Sequence, residues 1–137
     1  MKKVLFLCTG NSCRSQMAEA IINVRLSDSW QAFSAGTKPV RYVHPKALEA
    51  LSEIGIQHTG SSKRVDKFEG EDFDLVVTVC DSAAEECPVW LGKGKRAHYS
   101  FPDPAKTEGT DEEVMNVFRT VRNDIEKGMV NLLKAHS

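Results

Sequence analysis

The chain has 137 residues, 41% of them hydrophobic and 27% charged, with a formal net charge of -1. That is the length and balance of one ordinary globular domain able to bury its own core. Without a basic excess there is no reason to expect nucleic acid or a membrane surface as partner. The opening Met1-Lys2-Lys3 precedes an apolar run, Val4 to Leu7, that is too short for a signal sequence, and no stretch approaches the length of a membrane span. A cytoplasmic location is therefore expected. Thiols stay reduced there, so Cys8, Cys13, Cys80 and Cys87 point to catalysis or metal binding rather than to a structural disulfide framework.

Lys2 to Cys8 reads as a fully buried strand: short, continuous, apolar, and followed at once by loop residues. Ser15 to about Arg25 reads as a helix, with Met17, Ile21 and Val24 on one face and Ala18 and Ile22 beside them. Gln31 to Ser34 is a short second strand ended by Gly36. His44-Pro45 opens another helix, with proline at its favoured first-turn position, buried through Leu48, Leu51 and Ile54 and stopped at Gly55. Asp74 to Val79 is the strongest strand signal, again without polar alternation. Arg96 to Phe101 is a weaker strand. The final helix starts at Thr110-Asp111-Glu112-Glu113, a capping-box pattern, and its stripe runs through Val114, Phe118, Val121, Ile125, Met129 and Leu132.

Apolar strands alternating with helices belong to a parallel sheet covered on both faces, so the predicted class is α/β and the predicted organisation one domain over 1–137. In such sheets ligands bind outside the carboxyl ends of the strands. Cys8 and Cys80 each end a candidate strand, which predicts both at that edge.

The segment Cys8-Thr9-Gly10-Asn11-Ser12-Cys13-Arg14-Ser15 lies between a strand and a helix. Successive backbone N–H groups in such a loop form a concave nest for an anion, and the helix start adds positive potential. Thr9, Gly10, Asn11, Ser12, Cys13 and Arg14 are thus candidate oxyanion binders. Gly10 is expected to supply a backbone conformation barred to other residues, and Arg14 to grip a tetrahedral anion through its forked donors. A cysteine beside a helix N-terminus and an arginine is held as thiolate, so Cys8 is expected to be ionised at neutral pH, with the Ser15 hydroxyl placed to stabilise it. Donors that hold a thiolate also stabilise an oxyanion transition state. A buried apolar cysteine would account for Cys8 but not for a glycine, an arginine and a helix start at this spacing. Apart from its backbone, Cys13 is read as structural.

Cys8 to Arg14 is a C-x5-R signature, and with Met17-Ala18-Glu19 after it the segment resembles the low-molecular-weight protein tyrosine phosphatase superfamily. The resemblance continues through Ser34-Ala35-Gly36, His44-Pro45, Asp74 to Val79 and Asp103-Pro104, covering nearly the whole chain. It implies a flavodoxin-like fold with a four-stranded parallel sheet and helices on both faces. It also implies that Asp103, stiffened between Pro102 and Pro104, is the general acid. Judged alone, Asp103 is a turn aspartate as easily as an acid.

The loop does not separate hydrolysis from reduction, because phosphate and arsenate are near-identical tetrahedral anions. Val79-Cys80-Asp81-Ser82-Ala83-Ala84-Glu85-Glu86-Cys87-Pro88 resembles the redox segment of thioredoxin-linked arsenate reductases within the superfamily. Gln16 agrees, since the phosphatases usually carry proline there, and Asp103-Pro104-Ala105-Lys106 lacks the aromatic residues that help hold a phenyl ring. The resemblance implies a relay: Cys8 attacks arsenate, Cys80 attacks Cys8 as arsenite leaves, and Cys87 attacks Cys80 and passes the disulfide to a thioredoxin-like partner. Two bland alternatives stay open, a buried strand-end cysteine beside an incidental one, and a zinc site, although Cys-x4-Cys and Cys-x6-Cys are not usual zinc spacings. Ser82 to Glu86 reads as a helix. Were the whole segment helical, Cys80 and Cys87 would stand about 10 Å apart. A disulfide needs Cα atoms within about 7 Å, so the segment is expected to unwind on oxidation.

Some thioredoxin-linked relatives hold a potassium ion beside the loop with Asn, Glu, Ser and Asp. Asn11, Glu19 and Ser34 match, but around Ser61-Ser62-Lys63-Arg64 the chain offers cations instead, so a lysine is expected in place of the ion. No metal and no cofactor is expected, and the chain is expected to act as a monomer. Lys93 to Arg96 reads as a solvated turn, Trp30 and Trp90 as packing or rim residues, and His44 and His58 have no visible catalytic partner. The rivals are a phosphatase needing only Cys8, Arg14 and Asp103, and a non-catalytic module that binds phosphate or senses redox state.

Overall fold

A computed structural model describes residues 1–81, 90, 92 and 94–136. The strand β1 (Lys2–Cys8) lies inside a parallel sheet of order β2-β1-β3-β4, with β2 Trp30–Gly36, β3 Leu75–Thr78 and β4 Lys95–His98. Both faces of the sheet are covered, which is why Val4 to Cys8 are apolar without alternation and all buried. The register sets Cys8 opposite Gly36 and Leu7 opposite Thr78, and Val79 N–H donates to the Leu7 carbonyl at 2.9 Å. Cys80 therefore emerges at the same carboxyl edge as Cys8, as the strand assignment predicts.

The helices α1 (Arg14–Arg25), α2 (Pro45–Glu53) and α3 (Asp111–Ala135) pack in one apolar cluster with Val4, Phe6, Leu75 and Val77. The opposite side of the sheet, Leu5, Leu7 and Val76, is covered by Phe68, Phe73 and Trp90. Phe68 comes from a single 3-10 turn, Val65–Phe68, that periodicity did not reveal. Full burial of side chains this size is worth roughly 1.5–3 kcal/mol each, so both clusters contribute substantially to stability.

The caps follow local chemistry. Pro45 opens α2 with His44 at the N-cap, and Gly55, just past the helix, takes φ +82°, the left-handed conformation of a helix stop. The Thr110 hydroxyl accepts from Glu113 N–H at 3.2 Å while the Glu113 carboxylate accepts from Thr110 N–H at 3.3 Å, the predicted capping box.

Leu48 and Ile54 are only partly buried, α2 burying Ala47, Ala50 and Leu51 instead, and other expectations differ likewise. Val24 is 48% exposed, because the last turn of α1, residues 23–25, is solvated throughout. Lys95 is not a turn residue but opens β4, Arg96 follows the strand reading rather than the turn, and the strand ends at His98, short of Phe101; charge on an edge strand discourages pairing with another chain. Leu132 and Val114 are only partly buried, the α3 stripe running instead through Met115, Phe118, Val121, Ile125, Met129 and Leu133. The helix expected at 82–86 falls outside the described residues. Among the described residues no helix is long and apolar enough to cross a membrane.

Candidate active site

Cys8 closes β1 and is 2% exposed; α1 begins six residues later at Arg14. The loop between them is held from outside by donors to its own carbonyls. Lys38 N–H binds the Thr9 carbonyl at 2.9 Å, Val40 N–H and the Ser62 hydroxyl bind that of Gly10 at 3.2 and 2.9 Å, and His44 N–H binds that of Ser12 at 3.0 Å. Its left-handed residue is not Gly10, as expected, but Asn11, at φ +48°. A Cβ at Gly10 would meet Val40 at an ordinary 3.5 Å. Asparagine tolerates this conformation, and here its amide is anchored: Oδ1 accepts from Lys63 N–H at 2.8 Å and from Gln16 at 3.0 Å. The indispensable glycine is Gly36, across the register from Cys8, where a Cβ would stand 2.4 Å from the Thr9 carbonyl oxygen.

A directed chain of hydrogen bonds ends on the sulfur. Asn11 Nδ2 donates to Ser15 Oγ at 2.8 Å. With that oxygen already an acceptor, its own proton is free to point at Cys8 Sγ, 2.9 Å away. Behind Asn11, Gln16 shares its amide N–H groups among Asn11 O, Asn11 Oδ1 and Ser61 O. Its Oε1 must then accept, and it faces His58 Nε2 at 2.8 Å. Gln16, Asn11 and Ser15 are all fully buried, a cost offset only because each polar atom in this chain is satisfied.

Cys8, Gly10, Asn11, Ser12, Cys13 and Arg14 line a cavity of about 220 Å³ together with Val40, Tyr42, His44, Asp103 and Ala105. Thr9 and Ser15, expected at the site, do not line it; Ser15 meets the sulfur from behind. The Arg14 side chain is buried, with one guanidinium nitrogen on the Phe101 carbonyl at 3.2 Å and another 3.7 Å from Asp103 Oδ2. Asp103 caps a 3-10 turn, Pro104–Lys106, by accepting from Ala105 N–H at 3.0 Å through Oδ1. The cap fixes the carboxyl and leaves Oδ2 toward the arginine. The resemblance located Asp103, whereas sequence reasoning missed His44, Tyr42 and Val40, which reach the cavity only through the fold.

Cys13 is a different kind of thiol. Burial, reinforced by the nearby Asp103, pushes its pKa up to about 12, so it remains protonated at neutral pH. Cys8 and Cys13 are free. Cys80 is fully buried and disulfide-bonded. Cys87 lies outside the described residues.

The Asn11, Glu19, Ser34 set does not fit an added cation. The Ser34 hydroxyl donates to Glu19 at 3.0 Å, Lys63 Nζ stands 3.8 Å from the same carboxylate, and Asn11 Oδ1 is committed to Lys63 N–H and Gln16. Lys63 is the cation beside this set. Burial holds its pKa below the ordinary lysine value, with Glu19 opposing. His58, 3.8 Å from Glu19, is also held below its ordinary value by burial. Among the described residues no cluster of three His, Cys, Asp or Glu side chains has metal-binding geometry.

A strand-ending cysteine, a loop running into a helix, an arginine on its first turn and an aspartate over the opening define the cysteine-dependent enzymes that handle tetrahedral oxyanions on an α/β sheet. The chain belongs to the low molecular weight phosphotyrosine protein phosphatase family, whose profile matches residues 3–136. A protein named arsenate reductase from Halalkalibacterium halodurans is 48% identical over 127 residues, 92% of this chain and 91% of that one. A solved arsenate reductase described in its phosphate binding state superposes with a TM-score of 0.80 at 32% identity, covering 100% of both chains. A thioredoxin-dependent arsenate reductase of Corynebacterium glutamicum matches with a TM-score of 0.61 at 26% identity, over 94% of this chain and 62% of that one.

Proposed function

We propose that the protein reduces arsenate to arsenite by a three-thiol relay and is returned to its reduced form by a thioredoxin-like dithiol. The observation that carries this reading is the pairing of a free Cys8, in the anion cavity, with a disulfide-bonded Cys80 at the same sheet edge. A hydrolase needs no second redox-active sulfur there.

In this scheme the Cys8 thiolate, steadied by Ser15, attacks arsenic(V) held by the loop and Arg14. Asp103 gives its proton to the departing oxygen, which leaves as water. The Cys80 sulfur then attacks Cys8. The sulfur–arsenic bond breaks, its electron pair stays on arsenic, and arsenite departs, leaving a Cys8–Cys80 disulfide. Cys87 attacks Cys80 in turn, which frees Cys8 and leaves a Cys80–Cys87 disulfide. The external dithiol returns the two electrons. The relatives named arsenate reductase support the substrate, and the thioredoxin-dependent one supports the class of reductant.

One observation favours a second activity on the same loop. Val40 and Tyr42, 45% and 60% exposed, line the cavity. They supply an apolar wall that the stretch after Asp103 lacks, which suits hydrolysis of an aryl phosphate. The deciding experiment is arsenate-dependent NADPH oxidation coupled through thioredoxin and thioredoxin reductase. Turnover that disappears in Cys87→Ser while aryl-phosphate hydrolysis persists supports the relay; arsenate turnover that survives the substitution refutes it.

A further inference from the structure

Among the polar side chains lining the cavity, the imidazole of His44 has no part in this scheme. Three contacts immobilise it. Its backbone N–H donates to the Ser12 carbonyl at 3.0 Å and so ties it to the anion loop. Its Nδ1 accepts from Lys46 N–H at 3.1 Å as the cap of α2. Its ring lies against Phe118 with centroids 4.9 Å apart.

These contacts dictate where the proton is. A neutral imidazole whose Nδ1 accepts a hydrogen bond must carry its hydrogen on Nε2. Among the described residues nothing accepts that hydrogen. Burial and the neighbouring Lys46 hold His44 below its ordinary pKa, against the pull of Asp103, so the neutral form prevails at neutral pH. The same ring lines the cavity with Cys8, Arg14 and Asp103. The result is a neutral donor of fixed tautomer in the cavity of the nucleophile, with no acceptor among the described residues.

We propose that His44 Nε2–H is a substrate-binding donor that takes one outward oxygen of the tetrahedral anion held over Cys8, beside the oxygen that Asp103 protonates. The loop and Arg14 bind the anion from below and behind; His44 supplies a contact from the open side. The proposal rests on the cavity being an oxyanion site and would stand whether the chemistry there is reduction or hydrolysis.

Inorganic phosphate is the probe, and its protection of Cys8 against iodoacetamide is the readout, scored for each variant as the ratio of alkylation rates without and with phosphate. His44→Asn keeps an N-cap acceptor but is too short to present the donor; His44→Ala loses both. In each variant about five- to tenfold more phosphate should be needed for half-protection, the worth of one hydrogen bond. Thermal stability should fall further in His44→Ala than in His44→Asn, which separates cap from donor. In turnover, KM for arsenate should rise by a larger factor than kcat falls. Wild-type phosphate protection in His44→Asn overturns the proposal. Normal phosphate protection in the wild type without any arsenate turnover would instead overturn the reductase reading and leave the donor in place.

Discussion

Replacing Gly36 by alanine tests whether the anion loop is shaped by its fit against β2. The added Cβ would stand 2.4 Å from the Thr9 carbonyl oxygen and 3.0 Å from both the Cys8 carbonyl oxygen and Asn11 N. Ordinary contact begins near 3.4 Å, so the loop must retreat by about 1 Å. All three obstructing atoms are backbone, and no side-chain rotation relieves the clash. Overpacking of this kind costs about 1–3 kcal/mol. For a chain of this size that lowers Tm by roughly 4–12 °C. A displacement near 1 Å at a reacting centre costs on the order of a hundredfold in rate. Differential scanning fluorimetry, kcat for arsenate and the iodoacetamide reactivity of Cys8 read the two effects separately. An alanine variant with wild-type Tm and wild-type kcat would show that this contact does not shape the loop.

Asp103→Asn retains the acceptor for Ala105 N–H but has no proton to give, so kcat should fall about 10²- to 10⁴-fold with little change in KM, measured in the coupled assay. His44 and His58 are both held below their ordinary pKa, so the unfolded chain takes up protons that the folded chain refuses. Stability should therefore decline as pH falls through the ordinary imidazole value of about 6.5, and His58→Gln should flatten the slope of Tm against pH; an unchanged slope would remove His58 from the account. Potassium should raise turnover no more than sodium at equal ionic strength, because the Lys63 ammonium already stands beside Glu19.

How much of this was legible in the chain follows from how local each feature is. The apolar run to Cys8, the C-x5-R spacing and the capping box at Thr110 are contiguous, and each fixes a geometry by itself. The parallel sheet, though not its strand order, followed from apolar strands that alternate with helices. The rest of the site depends on segments that return from elsewhere. Residues 36–44 bring Gly36, Val40, Tyr42 and His44 over the loop, and residues 58–63 bring His58 and Lys63 behind it. No spacing rule links these positions to Cys8. Gln16 carried a faint signal, a polar side chain amid Ser15, Met17 and Ala18, all buried, and burial without a partner would have been costly. Gly10 misled because glycine is the usual guess for a left-handed turn, whereas the amide of Asn11 finds its own partners and takes that role.

The most direct test of the relay is a single turnover without reductant. Fully reduced protein is mixed with one equivalent of arsenate, quenched by alkylation and peptide-mapped. The account predicts one equivalent of arsenite, a disulfide joining Cys80 to Cys87, and Cys8 recovered as an alkylated thiol. Arsenite release with Cys80 and Cys87 both alkylated, or no arsenite from protein that still hydrolyses an aryl phosphate, would contradict it.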